Sequence, residues 1–278
     1  ITLGNIRAAE GWFGEAAYWY LYAGALARDI DDRRALSLSI AYITSILAKR
    51  GDDERAMAGY ERSLRVAWEI GDRWTACMNV AGLAAIHEHL GRAKDAEMLY
   101  RRAIEFGLHL GLPGFVTNML VNLARFLLEQ GRADEAQRIY HDAMSQIPSL
   151  AGEETLFQAQ VLGIRLGLVL GEMTGPQAET GLRNLLIQAA VPSRQARLHY
   201  ELWRLAPEDE ISRAEAESRY RTIYTERGEA ESRKIYQELS GDLLPDPPPL
   251  PDVSELIPDP HEMRGLTALL DGVEALFK

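Results

Sequence analysis

Four glycines stand 40 residues apart, at Gly11, Gly51, Gly91 and Gly131. The same interval catches Ala16, Ala56, Ala96 and Ala136, then Tyr20, Tyr60, Tyr100 and Tyr140, then Ala23, Ser63, Ala103 and Ala143. Upstream of each glycine it catches Leu3, Ile43, Leu83 and Leu123, followed by Gly4, Thr44, Ala84 and Ala124. A fixed period in this range marks a stacked repeat array. One unit cannot bury its own apolar face, so neighbours must stack into a solenoid with an extended binding surface.

Within one period the apolar spacing is helical. Met78, Ala81, Leu83, Ala85, Ile86 and Leu90 follow steps that suit one helix. Gly91-Arg92 then breaks the pattern, as glycine does at a helix end. A second stretch carries Ala96, Leu99, Tyr100, Ala103 and Ile104 on one face and stops near Gly107 to Pro113. Each unit therefore reads as helix, tight turn, helix, short loop. Glycine or alanine at a crossing lets two helix axes approach, and the tyrosine four residues after Ala96 fills the gap beside it. Alternating apolar and polar runs are almost absent, so the fold class is all-α.

The strings LAAIHEHLGRAKDAEMLYRRAIEF (Leu83 to Phe106) and LARFLLEQGRADEAQRIYHDAM (Leu123 to Met144) resemble tetratricopeptide repeats. Both carry the large-small pair of the first helix, the turn glycine, the alanine of the second helix, the aromatic, and a second alanine. The family's usual period is about 34 residues. The longer period here resembles kinesin light chain-like and bacterial sensor or regulator arrays. The resemblance implies a right-handed superhelical solenoid of stacked antiparallel helix pairs.

The pattern is strict over residues 1–147 and weaker beyond residue 150. Gly171 stays in register, but Pro176, Thr180 and Arg183 replace the alanine, tyrosine and alanine. The second helix there is expected to shift onto Ala178, Leu182, Leu185 and Leu186. The pattern returns at Ala216, Tyr220 and Ile223. Residues 1–240 thus read as about six units, the first truncated and the fifth degenerate, closed by a polar capping helix from Glu229 to Leu239. Leu3-Gly4 already occupies the middle of a first helix, which suggests a piece of a longer protein. The aromatics Trp12, Phe13, Tyr18, Trp19, Tyr20 and Tyr22 are then candidates for contact with a missing N-terminal domain, or for self-association.

Residues 241–260 form an acidic, proline-rich linker. Seven of the 12 prolines fall there, at 245, 247, 248, 249, 251, 258 and 260. Such a segment is an extended spacer, or a strap along the array. Residues 261–278 restart as an amphipathic helix, capped by Asp259 with Pro260 and Glu262 behind it. Its stripe of Met263, Leu266, Leu269, Leu270, Val273, Leu276 and Phe277 must be buried against the array, a second chain or a further domain.

The net charge of −11 argues against a nucleic-acid backbone binder. The single cysteine, Cys77, excludes an internal disulfide framework, fits a reducing cytoplasm, and reads as a small core residue. No apolar stretch is long enough to cross a membrane: Val161 to Leu170 is short and interrupted by Arg165. Glycines 163, 167 and 171 read as close helix packing. No phosphate loop is present, and His87-Glu88-His89 lacks the helical-turn spacing that one metal needs. No catalytic residue, cofactor or metal site is expected, and one of the two histidines is expected to lean inward.

In tetratricopeptide arrays the first helix of each unit lines the concave groove. The resemblance implies that polar residues there clasp a peptide. Asn122-Leu123-Ala124 resembles the string of longer-repeat members whose asparagine bonds a ligand backbone. Only the fourth unit has it: the second has Tyr42 at this place and the third Gly82. Asn5, Tyr42, Ser45, Asn118, Asn122 and Arg125 are the candidate groove residues. The lysine-rich clamp for chaperone tails is absent, since Ala41, Ala81 and Val121 stand where long cations belong. The expected function is a non-catalytic protein-interaction or scaffold module of a larger bacterial signalling or regulatory protein, with a protein or peptide partner. The alternative is a peptide or small-ligand sensor domain of a transcriptional or ATPase regulator.

Overall fold

Left-handed backbone recurs every 20 residues, half the interval visible in the sequence. Gly11, Gly51, Gly71, Gly91, Gly111, Gly131 and Gly171 all have positive φ, and Asp31 takes the same conformation at φ 56°. From Gly11 to Gly131, each ends a helix in the same way. At Gly51 the N–H donates to the Ala48 carbonyl at 3.0 Å, and the next N–H, of Asp52, donates to Leu47 at 3.0 Å. That pair of bonds satisfies carbonyls the helix end would otherwise leave open. Asp52 then starts the next helix, its carboxylate accepting from the Arg55 N–H at 3.2 Å. Asp32 and Asp72 cap their helices likewise. One short turn therefore closes one helix and opens the next.

A computed structural model describes residues 1–146, 152–257 and residue 270. The described helices are α1 (Thr2–Ala9), α2 (Phe13–Asp29), α3 (Arg33–Lys49), α4 (Asp53–Ile70), α5 (Arg73–His89), α6 (Ala93–His109), α7 (Pro113–Glu129), α8 (Ala133–Gln146), α9 (Glu153–Val169), α10 (Gly175–Gln188), α11 (Pro192–Leu205), α12 (Glu210–Arg227) and α13 (Ala230–Ser240). Among the described residues there is no strand. The fold is an all-helical repeat array, and within each of its units consecutive helices pack on one another. The chain divides into two compact units: Ile1–Leu112 together with the segment from Pro248 onward, and Pro113–Pro247. The expected amphipathic helix at 261–278 lies outside the described residues, apart from Leu270, which is helical and buried.

In the first unit, small residues set the seams. Ser37 of α3 and Ser63 of α4 exchange side-chain-to-carbonyl bonds at 3.0 and 2.8 Å, and Asn79 of α5 donates to the Ser63 hydroxyl at 2.8 Å. One repeat later the seam pairs Cys77 with the Ala103 carbonyl, Sγ to O 3.7 Å. Burial pushes the Cys77 thiol up to about 12, so it is an inert core group. Tyrosines fill the spaces beside glycines. A Cβ on Gly82 would stand 2.3 Å from the Tyr60 ring. The glycine that breaks the asparagine pattern in the third unit is therefore a packing requirement of Tyr60.

In the second unit the beat slips after Gly171. The closing bond comes from Met173 to the Gly167 carbonyl at 2.9 Å, one residue later than in the earlier turns. Thr174 then opens α10 through a capping box with Gln177. Ala178 and Leu182 of α10 become its buried residues, with Leu185 and Leu186 packed behind them on Phe157, Val161, Leu198 and Leu202. A second cluster joins Tyr200, Tyr220, Ile223, Ile235, Tyr236 and Leu239, tying α11, α12 and α13 together.

Candidate functional site

The six candidate groove residues fall into two sets, one in each unit. In the first unit they form a chain of contacts. Asn5 accepts a hydrogen bond from the Tyr20 hydroxyl at 2.7 Å. Tyr20 stacks on Tyr42, with ring centroids 5.1 Å apart and an interplanar angle of 19°. The Ser45 hydroxyl donates to the Tyr42 carbonyl at 2.8 Å. Asn5 is exposed, and Tyr42 and Ser45 are half-buried.

In the second unit Asn118, Asn122, Arg125 and Glu129 repeat at helical spacing on one face of α7. Asn118 donates to the Thr155 hydroxyl of α9 at 3.0 Å, and Asn122 donates to the Asn118 carbonyl oxygen at 3.2 Å. Arg125 pairs with Glu129 at 3.0 Å. Arg165 of α9 approaches the same carboxylate at 3.6 Å.

The polar row continues onto α11. Glu201 has a side chain only 5% exposed, held by Arg197 at 2.9 Å and Arg204 at 3.5 Å. Burial lowers the Arg165 pKa, with Glu201 opposing, and the guanidinium stays cationic. Burial also acts to lower Arg197, but Glu201, Tyr220 and Glu231 outweigh it and its pKa is raised. The Tyr200 hydroxyl donates to Glu238 at 2.8 Å, and Arg204 lies over the Tyr200 ring. The face formed by α7, α9 and α11 thus carries Arg125, Arg165, Arg197 and Arg204 against the buried carboxylate of Glu201 and the exposed one of Glu129, with the exposed Glu231 at its edge.

Sequence reasoning passed over Arg165, Arg197, Glu201 and Arg204. Arg165 had a signal, since it lies one 40-residue interval after Arg125. The other three sit after the slip at Gly171 and had none.

Elsewhere, His87 is buried at 4% and His89 is exposed. Burial is the main cause that lowers the His87 pKa, with Asp95 opposing. Trp12, Tyr18 and Tyr22 are exposed, while Phe13 and Tyr20 are buried. Among the described residues, no three His, Cys, Asp or Glu gather as a metal site, and no helix is long and apolar enough to cross a membrane.

A tetratricopeptide repeat profile matches residues 116–145, which span most of α7 and α8. The crystal structure of BtubC (BKLC) from P. vanneervenii shares the fold at a TM-score of 0.53 and 18% identity, covering 86% of this chain and 95% of that one. No curated protein matches the sequence.

Proposed function

Taking as premise that the chain is a tetratricopeptide-repeat protein, of a kind that generally mediates protein–protein contacts as a scaffold, we propose that its second unit is a non-catalytic docking module for an acidic segment of a partner protein. The segment lies along the α7, α9 and α11 face. Arg165 carries this reading. Its side chain is 16% exposed, and its close carboxylate among the described residues, Glu129, lies at 3.6 Å, beyond hydrogen-bond reach. A mostly buried guanidinium with donors to spare suits an incoming carboxylate, which it can grip with two parallel bonds. Asn122 supplies an amide at the same face for the ligand backbone. Glu129 and Glu201 hold the arginines in place before the ligand arrives, which lowers the ordering cost of binding.

The test is fluorescence anisotropy with acidic, neutral and basic peptides of equal length on the full chain. The acidic set should bind best and weaken as salt rises. Arg165→Leu should cost at least about tenfold in affinity, and Asn122→Ala/Arg125→Glu more. Equal binding of all three peptide sets, or indifference to both variants, removes the proposal.

A further inference from the structure

The segment from Pro248 onward belongs to the first unit. From Asp252 to Ile257 it makes one tight turn. The Ile257 N–H donates to the Val253 carbonyl at 2.8 Å, the Leu256 N–H to the same carbonyl at 3.0 Å, and Asp252 accepts from the Ser254 N–H at 2.9 Å. This puts Val253, Leu256 and Ile257 on one side, at the i, i+3, i+4 spacing of a helical anchor set. They are 1%, 1% and 3% exposed.

Leu256 and Ile257 enter a cleft walled by α2 and α4 and floored by α3. Both of those helices pack on α3, and they make little direct contact with each other. Each wall presents a glycine. A Cβ on Gly24 would stand 2.4 Å from Leu256 Cδ1, and one on Gly59 3.1 Å from Ile257 Cδ1. Glycine weakens a helix interior; at Gly24 it leaves room for the incoming Leu256, whereas a Cβ on Gly59 would first meet Thr44 Oγ1 of the repeat itself, at 2.1 Å. The rim is cationic. Arg28 donates to Glu255 at 3.2 Å, and Arg55 attracts Asp252. Arg62 lies close enough to Arg28 for the two to repel.

The contact has the form of a bound ligand. Its anchors come from outside the repeat pattern and are few. The Arg28–Glu255 ion pair is open to water, with side chains 49% and 69% exposed, which makes it weak and exchangeable. Pro245, Pro247, Pro248, Pro249 and Pro251 precede it and act as a tether.

We propose that the α2–α3–α4 cleft is a docking site for an acidic peptide of a partner protein with aliphatic residues at i, i+3 and i+4. Residues 252–257 are the chain's own copy of that ligand and hold the cleft until such a peptide displaces them. This site is separate from the arginine face of the second unit, and neither depends on the other.

The test uses the full chain and a fluorescein-labelled peptide with the sequence of residues 248–257. A tethered competitor acts at a high effective concentration, so the peptide should bind the wild-type chain weakly. Leu256→Ser/Ile257→Ser removes the internal anchors and should raise peptide affinity by at least about tenfold. Added peptide should also raise the melting temperature of that variant. Introducing Gly24→Leu into it should abolish binding. Arg28→Glu changes only the rim and keeps the question answerable should the serine pair fold poorly. That variant should prefer a peptide carrying Glu255→Arg over the native sequence by at least about tenfold. Equal affinity for wild type and the vacated chain, binding that survives Gly24→Leu, or no switch of preference in Arg28→Glu each overturns the proposal. So does a dimer that the serine pair dissolves, since the cleft would then serve a second copy of this chain.

Discussion

Tyr60 in the first unit lays the face of its ring against Gly82, whereas Tyr140 in the second reaches Gly163 with only its hydroxyl end. A Cβ on Gly82 would meet three ring atoms between 2.3 and 2.7 Å; one on Gly163 would meet the Tyr140 hydroxyl at 2.5 Å and then carbons at 3.1 and 3.7 Å. Tyr60 and Tyr140 share a repeat position, but the glycine facing Tyr140 stands one residue past the counterpart of Gly82, which is Leu162, and the crossing there is looser. The seams differ in the same direction. Serine and asparagine hydrogen bonds join α3, α4 and α5, while in the second unit the ion pairs Arg194–Glu154 and Arg197–Glu231 tie α11 to α9 and to α13. A repeat that keeps its period can reuse one small-residue seam. Once the phase shifts, each helix meets its neighbour with a different face, and long charged side chains bridge what small ones cannot.

The largest way to break this contrast is Glu201→Ala. It leaves Arg165, Arg197 and Arg204 near one another without their shared carboxylate, and should cost about 3 kcal/mol in denaturant unfolding. A loss below ~1 kcal/mol would mean that the pairs around Glu201 behave as surface ones. Gly82→Ala should cost about 2 kcal/mol through overpacking against the Tyr60 ring. Gly163→Ala should cost about half as much, because the Tyr140 hydroxyl end can move aside. Equal losses would erase the difference between the two tyrosine sites.

Asp31 sharpens the comparison within the first unit. It holds φ 56° where its counterparts are glycine. Asp31→Gly should raise stability by about 0.5 kcal/mol, and Gly51→Ala should lower it by about 1 kcal/mol. The smallest expected effect is on pH dependence. Burial is the largest cause lowering the pKa of both His87 and His199. The unfolded chain therefore binds these protons more readily than the folded one, and stability should fall as pH drops below about 6.5. His87→Leu and His199→Leu should each flatten that fall in denaturant titrations between pH 7 and pH 5. An unchanged slope would show that both folded sites accept the proton as freely as the unfolded chain does.

Much of the first unit was legible because its signals are local. Gly11, Gly51 and Gly91 mark its turns, and the tyrosine interval marks what fills the crossings. Even the half-period was in view at Gly71 and Gly111, although Asp31 hid one beat behind a non-glycine residue. Arg125 and Asn122 were legible as one helix face, since three-residue spacing is enough to align them. Their companions Arg197, Glu201 and Arg204 were not. Nothing along the chain says which helix face points where after the turn at Gly171 has taken up an extra residue.

The sequence by itself determined the helices, their turns and their order of stacking. These depend on periodicity, αL glycines and aspartate caps, all of which act within a few residues. The tertiary structure alone decided that Arg165, Glu201 and Arg197 gather on one face, and that Leu256 and Ile257 enter a cleft between α2 and α4. Both join residues far apart in the chain. Their meeting depends on helix phase, on the space Gly24 leaves, and on where a proline tether delivers its end, none of which a residue's neighbours in sequence record.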